Sequence, residues 1–234
     1  MKNNIQDKTK LVNSVFSKVY KKYDLMNDVM SLGVHRIWKD KYISWLNPSP
    51  NSNLIDVASG TGDIAKLFSN YINHSAKITC VEPNNEMFEE GKKNLKKYKN
   101  IEWIKAAAEV LPIKDNSFDY YTISYGIRNV SDINKTLKEA YRVLKTGGRF
   151  MCLEFSKIDN EALNFLYKQY SKIIPLAGKY IVGSSKPYDY LVESIDSFYN
   201  QKQLCDLMIK NGFSNVEYRN LSNGISAIHS GWKI

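Results

Sequence analysis

The chain has no apolar run near the roughly 20 residues that a helix needs to cross a bilayer, although 43% of its 234 residues are apolar. Residues 1–30 also lack an apolar signal core and contain no arginine, which argues against a secretory signal and a mitochondrial presequence. The length suffices for one α/β core. We therefore expect a soluble cytoplasmic protein, with peripheral contact to the inner face of the cytoplasmic membrane left open.

Cysteine is scarce and irregularly spaced. Cys80, Cys152 and Cys205 lie in apolar segments of predicted strands or helices. Their spacings match neither a disulfide framework nor a metal site, so we expect three buried, reduced thiols and no bound metal.

What the sequence does contain is an apolar segment that runs into a Gly-x-Gly turn and then a predicted helix. Gly60 and Gly62 have no Cβ, so the backbone can turn sharply there and approach a ligand beside the amides of the helix start. Glu82 ends the next predicted strand, about 20 residues after Gly62, as expected for a carboxylate that binds ribose in a doubly wound fold. This spacing predicts a Rossmann-like nucleoside-cofactor site.

The charges beside the turn favour one cofactor over another. With Ala65 at the third glycine position the turn would accept NAD, but Asp63 at the helix start would repel a pyrophosphate. S-adenosylmethionine has no phosphate and carries a sulfonium and an ammonium group, which Asp56 and Asp63 would attract. S-adenosylmethionine is the predicted cofactor, and NAD is the alternative.

Alternating strand and helix patterns predict a mostly parallel α/β sheet with an antiparallel edge. Ser131 or Asp132 is the predicted cap of a helix that runs through Val143, and 146–148 is expected to stop it. The other predicted elements are strands at 54–57, 77–81, 101–105, 118–124 and 149–154, helices from the turn to about 71 and over 84–98, and a terminal hairpin of 215–220 with 225–232.

A nucleic-acid partner is not expected, although the net charge is +9. The lysines are dispersed, and their cluster at 92–99 is best explained as a solvated helix face. A DNA amino-methylating enzyme would be expected to have an Asn/Asp-Pro-Pro-aromatic turn after the fourth strand, to hold a flipped base. Here that strand ends in Tyr125-Gly126-Ile127-Arg128-Asn129.

We expect one domain, 1–234, in four parts: a helical lid over the cofactor (1–50), a cofactor-binding core (51–158), a helical insertion (159–201), and a last helix with the hairpin (202–234). The insertion is apolar on more than one face, which suits an apolar substrate or a membrane surface. A helix packed on the sheet with aromatic filler is the alternative.

Several further motifs lie along the chain from Phe16 to Lys233. They are Tyr23-Asp24-x-Met26-Asn27-Asp28, His35-Arg36-x-Trp38-Lys39, Asp56-x-Ala58-x-Gly60-Thr61-Gly62-Asp63, Gly126-Ile127-Arg128-Asn129, Leu153-Glu154-Phe155-Ser156, Tyr188-x-Tyr190-Leu191 and Gly224-Ile225-x-Ala227-x-His229. Together they resemble the ubiquinone/menaquinone biosynthesis C-methyltransferase family. The resemblance implies a Rossmann-like class I methyltransferase fold.

The resemblance also implies methyl transfer from S-adenosylmethionine to a ring carbon of a prenylated benzoquinol, of the 2-polyprenyl-6-methoxy-1,4-benzoquinol type, or of demethylmenaquinol. The sequence does not choose between these substrates. The cofactor-binding positions that carry over are Thr61, Glu82, Ala107, Ala108 and Ser124, beside Gly60, Gly62 and Asp56 of the turn. Departures from the family pattern are Glu82 for the usual Asp, Ala107 for the usual Asn and Thr146 for the usual Pro.

An aromatic carbon is a poor nucleophile unless a ring hydroxyl loses its proton, and a fixed cation nearby would lower the pKa of that hydroxyl. Arg128, after the fourth strand, is the first candidate for this cation. The alternative is that Arg128 bridges to Asp24 or Asp132. His35 and Glu154 are candidate proton acceptors, with a core or surface histidine and a structural acceptor as the respective alternatives.

Other expectations concern partners and alternative functions. Tyr23, Trp38, Tyr188 and Tyr190 could line the site or simply pack in the core. A homo-oligomer and a quinone-synthesis complex both remain open. The alternative functions are a weakly catalytic cofactor-binding scaffold of such a complex and a methyltransferase for another small phenol.

Overall fold

The computed structural model describes Val12, Ser17, Asp28, Ser31 and residues 33–158, 160–167, 169–170 and 186–234. Most of the predicted lid, including Tyr23 and Asp24, and residues 171–185 of the insertion lie outside the described residues. In the described part, the strands are β1 (Leu54–Val57), β2 (Ile78–Val81), β3 (Ile101–Ile104), β4 (Phe118–Ser124), β5 (Leu144–Phe155), β6 (Ser214–Leu221) and β7 (Ser226–Trp232). The helices are α1 (His35–Leu46), α2 (Asp63–Tyr71), α3 (Asn85–Asn94), α4 (Ile133–Val143), α5 (Lys186–Ser197) and α6 (Gln201–Lys210).

The strands form one seven-stranded sheet in the order β3-β2-β1-β4-β5-β7-β6. Strands β1 to β5 pair in parallel, and β7 is antiparallel to both β5 and β6. The order reverses between β1 and β4, where a doubly wound sheet opens a crevice at the carboxyl ends of its strands. The predicted mostly parallel sheet with an antiparallel hairpin is confirmed.

Side-chain alternation along the strands divides the core into two apolar clusters on the two faces of the sheet. Leu54 and Leu153 belong to the cluster that also contains α1 residues such as Trp38 and Tyr42. Ile55 and Cys152, each the neighbour of one of those strand residues, belong to the other cluster. Both faces are covered, so the ends of the strands are the accessible places for a ligand.

The predicted bounds of α4 are confirmed, but the residues expected to stop the helix belong to a strand. The cap at Asp132 is confirmed, because its Oδ1 accepts a hydrogen bond from the Lys135 amide at 3.0 Å. The helix ends at Val143, as predicted, but residues 146–148, expected to precede a strand at 149–154, lie inside β5. Backbone pairing with Lys233 explains this: the Gly147 amide donates to the Lys233 carbonyl at 2.7 Å, and the Lys233 amide donates to the Gly148 carbonyl at 3.0 Å.

The three cysteines are free and buried, Cys80 on β2, Cys152 on β5 and Cys205 on α6. Within the described ranges, no helix combines the length and apolar character that a bilayer crossing requires. The same residues contain no group of three or more His, Cys, Asp or Glu side chains that could hold a metal ion.

Candidate functional site

Two adjoining cavities lie at the carboxyl ends of the parallel strands. The larger, of about 160 Å³, is lined by residues that follow β1, β2, β3 and β4, among them Ala58, Glu82, Ala107, Ala108 and Gly126. The smaller, of about 30 Å³, is lined by Lys39, Asp56, Ala58, Ser59, Gly60, Thr61, Asp63, Ile64, Ser124 and Tyr125. Ala58, Gly60 and Tyr125 line both, so the two cavities meet at the point where the strand order reverses.

The two glycines of the turn have different surroundings. Both have left-handed backbone angles, with φ of +57° at Gly60 and +89° at Gly62. Gly60 lines both cavities, and a Cβ there would come within 3.4 Å of Met87 Cε. A Cβ on Gly62 would come within 2.5 Å of Leu95 Cδ1, so this glycine serves the packing of α2 against its neighbours.

Glu82 closes one side of the larger cavity and is only 5% exposed. Its Oε2 accepts a hydrogen bond from the Gly60 amide and its Oε1 accepts one from the Asn84 amide, both at 2.9 Å. Burial raises the pKa of the Glu82 carboxyl to about 7, against the effect of the two amides. The side chain is therefore fixed at the position where the sequence predicts a ribose-binding carboxylate.

Two polar atoms of the smaller cavity have no hydrogen-bond partner within the described part of the chain, Asp56 Oδ2 and Ser124 Oγ. The other oxygen of Asp56 accepts from Thr122 Oγ1 at 2.8 Å. Burial raises the pKa of the Asp56 carboxyl to about 7. Buried polar atoms normally have partners. Two such atoms beside one cavity are therefore available to a polar ligand or to water.

Asp63, predicted from the sequence to carry a negative charge beside the turn, is paired with a lysine. Lys39 Nζ, on α1, lies 2.7 Å from Asp63 Oδ2. Burial alone would raise the pKa of Asp63, but the charge and hydrogen bond of Lys39 hold it below its usual value. The attraction of this site for a cationic cofactor therefore depends on Asp56 and on a paired Asp63. The signal for Lys39 was its place in the His35-Arg36-x-Trp38-Lys39 motif.

Ala58 and Tyr125 are site residues that the sequence did not reveal. They follow β1 and β4, and both have left-handed angles, with φ of 52° and 53°. Such conformations cost free energy and tend to occur at functional sites. Neither residue type favours this conformation, so the sequence carries no signal for it.

Ala107 and Ala108 line the larger cavity, as do Glu109 and Ser131, which were not among the residues predicted from the sequence. Glu109 Oε1 accepts hydrogen bonds from the Ser131 amide and hydroxyl, both at 2.6 Å. This contact fixes the loop after β4 against the loop after β3. Ala107 supplies no side-chain polar group, so any hydrogen bond from this position to a ligand would come from its backbone.

Arg128 and Glu154 form a buried ion pair between Nη1 and Oε1, with side chains only 2% and 1% exposed. Arg128 Nη1 also donates to the Tyr125 carbonyl at 2.9 Å, and its Nε donates to Ser194 Oγ at 3.4 Å. Burial raises the pKa of Glu154, although Arg128 opposes this effect. Neither residue is among those that line the two cavities, and Arg128 is joined to the cavity lining through the Tyr125 carbonyl.

His35, the third candidate catalytic residue, is 1% exposed and does not line either cavity. Its Nε2 lies 2.9 Å from Asp28 Oδ1. Burial, followed by the charge of Lys39, lowers the pKa of His35 despite this carboxylate. The imidazole is therefore largely neutral near pH 7.

The described aromatic candidates are held by specific contacts. Trp38 Nε1 donates to Ser222 Oγ at 3.1 Å, and Tyr188 is fully buried in the core. The Tyr190 hydroxyl donates to Asn129 Oδ1 at 2.9 Å, and Asn129 lines the larger cavity. Tyr190 thus joins the insertion to the cavity wall.

Comparison with known proteins agrees with this arrangement. The model of the ubiE/COQ5 methyltransferase family matches residues 2–233. The ubiquinone/menaquinone biosynthesis C-methyltransferase UbiE of Rickettsia bellii (strain OSU 85-389) is 53% identical, over 97% of this chain and 94% of the relative. The UbiE protein of Brucella suis biovar 1 is 49% identical, over 97% of this chain and 87% of the relative.

Solved structures show the same fold at low identity. A SAM-dependent methyltransferase of Thermotoga maritima, described as a possible histamine N-methyltransferase, has a TM-score of 0.66 at 23% identity, covering 95% of this chain and 100% of that one. A SAM-dependent methyltransferase of Aquifex aeolicus has a TM-score of 0.62 at 15% identity, covering 84% and 89%. These likenesses confirm the predicted class I methyltransferase fold. The near end-to-end match of the family model and the two close relatives show that the chain belongs to the ubiE/COQ5 methyltransferase family.

Proposed function

We propose that the protein is an S-adenosylmethionine-dependent C-methyltransferase that methylates the ring of a prenylated benzoquinol, of demethylmenaquinol, or of both. Family membership over residues 2–233 confirms the predicted enzyme class and its methyl donor. The observation that carries the site assignment is the pair of cavities at the strand-order reversal, with Asp56 Oδ2 and Ser124 Oγ unpartnered among the described residues. A quinol substrate follows from the relatives' names, ubiquinone/menaquinone biosynthesis C-methyltransferase.

The residues around the cavities fit S-adenosylmethionine. Glu82 would accept hydrogen bonds from ribose hydroxyls, and Ala107 and Ala108 would contact the base in the larger cavity. Thr61 and Ser124 would hold the amino-acid end in the smaller one. When bound, the cofactor supplies an electrophilic methyl group on a sulfonium.

Arg128 is proposed to favour the ionised quinol. Its guanidinium donates a hydrogen bond to the backbone carbonyl of Tyr125, and Tyr125 lines both cavities. Few waters screen this buried ion pair, so the guanidinium would lower the pKa of a ring hydroxyl in the site to the extent that Glu154 does not balance its charge. Glu154 would hold the guanidinium in place, and neutral His35 remains the candidate proton acceptor.

Peripheral membrane contact is proposed for the insertion. Within the helical residues 161–167, Phe165 and Leu166 are each 62% exposed. Two neighbouring large apolar side chains in water favour insertion into a lipid surface, and the net charge of +9 favours an anionic leaflet. A prenylated substrate would be delivered from the same surface.

The test is incubation of the purified protein with labelled S-adenosylmethionine and, in parallel, a reduced prenyl-methoxybenzoquinol and a reduced demethylmenaquinone. Mass spectrometry of the lipid product should show methylation of either or both. Tight cofactor binding without lipid product would overturn the proposal in favour of a cofactor-binding scaffold. Equal turnover of a phenol without a prenyl tail would instead favour a methyltransferase for another small phenol.

The Arg128→Ala variant tests the proposed cation. We expect turnover to fall about 100-fold or more, because a fixed charge near the reacting oxygen is lost, while the Kd for S-adenosylmethionine changes little. Arg149→Ala is the matched control, since Arg149 is also buried but lies at the other end of β5. Unchanged turnover in Arg128→Ala would remove this residue from the mechanism.

A further inference from the structure

Lys39 lines the smaller cavity, and its ammonium group pairs with Asp63, which lines the same cavity. Lys39 is 6% exposed, and its side chain lines this cavity together with Asp63, Thr61 and Ser124. Lysine is almost never fully buried without a partner. Its partner here, Asp63, keeps 41% of its own side chain exposed. The smaller cavity is therefore lined by a positively charged and a negatively charged side chain.

This combination of charges suits a zwitterion. An α-amino acid carries a carboxylate and an ammonium group a few ångströms apart, so a site that holds one needs opposite charges in one small space. Lys39 supplies the positive charge, and Asp56 and Asp63 supply the carboxyl groups. A purely cationic ligand would gain nothing from Lys39, which would repel it.

We propose that Lys39 binds the α-carboxylate of the methionine part of S-adenosylmethionine, with Asp56 and Asp63 facing its α-ammonium group. This assignment rests on the proposed function, since it presupposes that cofactor. Helix α1 holds the ammonium in place because Tyr42, three residues on, donates from its hydroxyl to the Met151 carbonyl at 2.7 Å in the core. Such a pre-positioned charge binds its ligand with little loss of side-chain freedom.

The competing explanation is that the Lys39–Asp63 ion pair has only a structural role and holds α1 against α2. A purely structural role predicts that removing Lys39 weakens the binding of every ligand of the cavities to the same extent. A role in binding predicts that only ligands with the α-carboxylate lose affinity. The two explanations therefore differ in ligand selectivity, which needs no activity measurement.

The experiment is calorimetric titration of the wild-type protein and of Lys39→Met with S-adenosylhomocysteine and with 5′-methylthioadenosine, which lacks the amino-acid part. We expect Lys39→Met to weaken S-adenosylhomocysteine about 10- to 100-fold, the range for a hydrogen bond to a charged group, and to leave 5′-methylthioadenosine within about twofold. Lys39→Arg should restore part of the lost affinity. Lys145→Met is the control, since Lys145 pairs with Asp119 at 2.9 Å and lines neither cavity.

A second measurement needs no variant. Decarboxylated S-adenosylmethionine should bind the wild-type protein about 10- to 100-fold more weakly than S-adenosylmethionine. Equal affinities, or equal losses for both nucleosides in a folded Lys39→Met, would overturn the assignment while the proposed function stands. A wild-type protein that binds none of these nucleosides would overturn the proposed function as well.

Discussion

The buried pair of Arg128 and Glu154 leads to the sharpest prediction on stability. Glu154→Gln keeps the size and shape of the side chain and an oxygen that can accept from the Phe155 amide, which Glu154 Oε1 now does at 2.9 Å. It removes the negative charge, so the Arg128 guanidinium, 2% exposed in its side chain, is left uncompensated in the core. Removing one partner of a buried pair costs about 3–5 kcal/mol.

That loss would be a large share of the roughly 5–15 kcal/mol by which most domains are stable. Urea unfolding followed by far-UV circular dichroism at neutral pH measures it directly. Glu139→Gln is the matched control, because Glu139 also pairs with an arginine, Arg142, but these side chains are 19% and 30% exposed, so the charge left behind stays in contact with water and the loss should be smaller. The double variant Arg128→Met/Glu154→Gln should recover part of the stability, since no buried charge remains.

A loss of stability in Glu154→Gln no larger than that in Glu139→Gln would refute the buried-charge explanation. Such a result would mean that water reaches the guanidinium, or that Arg128 finds another acceptor at no cost. In either case Arg128 would not be a fixed, weakly screened charge, and its proposed effect on a quinol hydroxyl would lose its physical basis.

Two further predictions concern the turn and the buried carboxyls. Gly60→Val should abolish cofactor binding in calorimetry, because the new side chain would enter the cavities beside Met87. Gly147→Val is the control: Gly147 also has a left-handed backbone (φ +79°), but nothing lies within 4 Å of the added Cβ, so this variant has similar backbone strain and should still bind the cofactor. Retained affinity in Gly60→Val would contradict this placement. The pKa of Asp56 is raised from 3.8 to about 7, so the folded chain keeps a proton that the unfolded chain releases. This carboxyl should therefore stabilise the ligand-free protein less as pH rises from about 4 to about 7, whereas His229, whose pKa burial lowers to about 4, acts in the opposite direction over much of that range. The measurement is the difference in unfolding free energy between the wild type and Asp56→Asn in urea titrations at several pH values. The stability of the wild type relative to this variant should decrease as pH rises through that range, and a difference that does not change with pH would count against the buried carboxyl.

The parts of the fold that the sequence predicted are those with local signals. The glycine turn, the strand at 118–124 and the cap at Asp132 each depend on residues within a few positions of one another, and the structure has all three. The predicted helix over 84–98 was too long, because it ends at Asn94. The helix before them ends at Val143 as predicted, but residues 146–148 were expected to lie outside a strand and belong to β5, because Gly147 and Gly148 pair with Lys233, whose position depends on the whole sheet.

The sequence could not predict which charged side chains form ion pairs. The sequence does not show that Asp63 is paired, because Lys39, its partner, is 24 residues away on a helix whose packing no local pattern shows. Arg128 had Asp24 and Asp132 as candidate partners, yet it pairs with Glu154, 26 residues away. Once β4 and β5 are known to be parallel neighbours, this pair follows, since Arg128 comes after one strand and Glu154 lies at the end of the other.

The place of β7 in the sheet has a consequence for synthesis. This strand, the last of the seven in chain order, lies between β5 and β6 and pairs with β5 through seven residues, from Arg149 with Trp232 to Phe155 with Ser226. A ribosome makes β5 long before β7, so the edge of β5 that β7 later covers stays open until the last strand emerges. A nascent or truncated chain would thus expose a long apolar strand edge, where chaperone binding or aggregation is expected to begin.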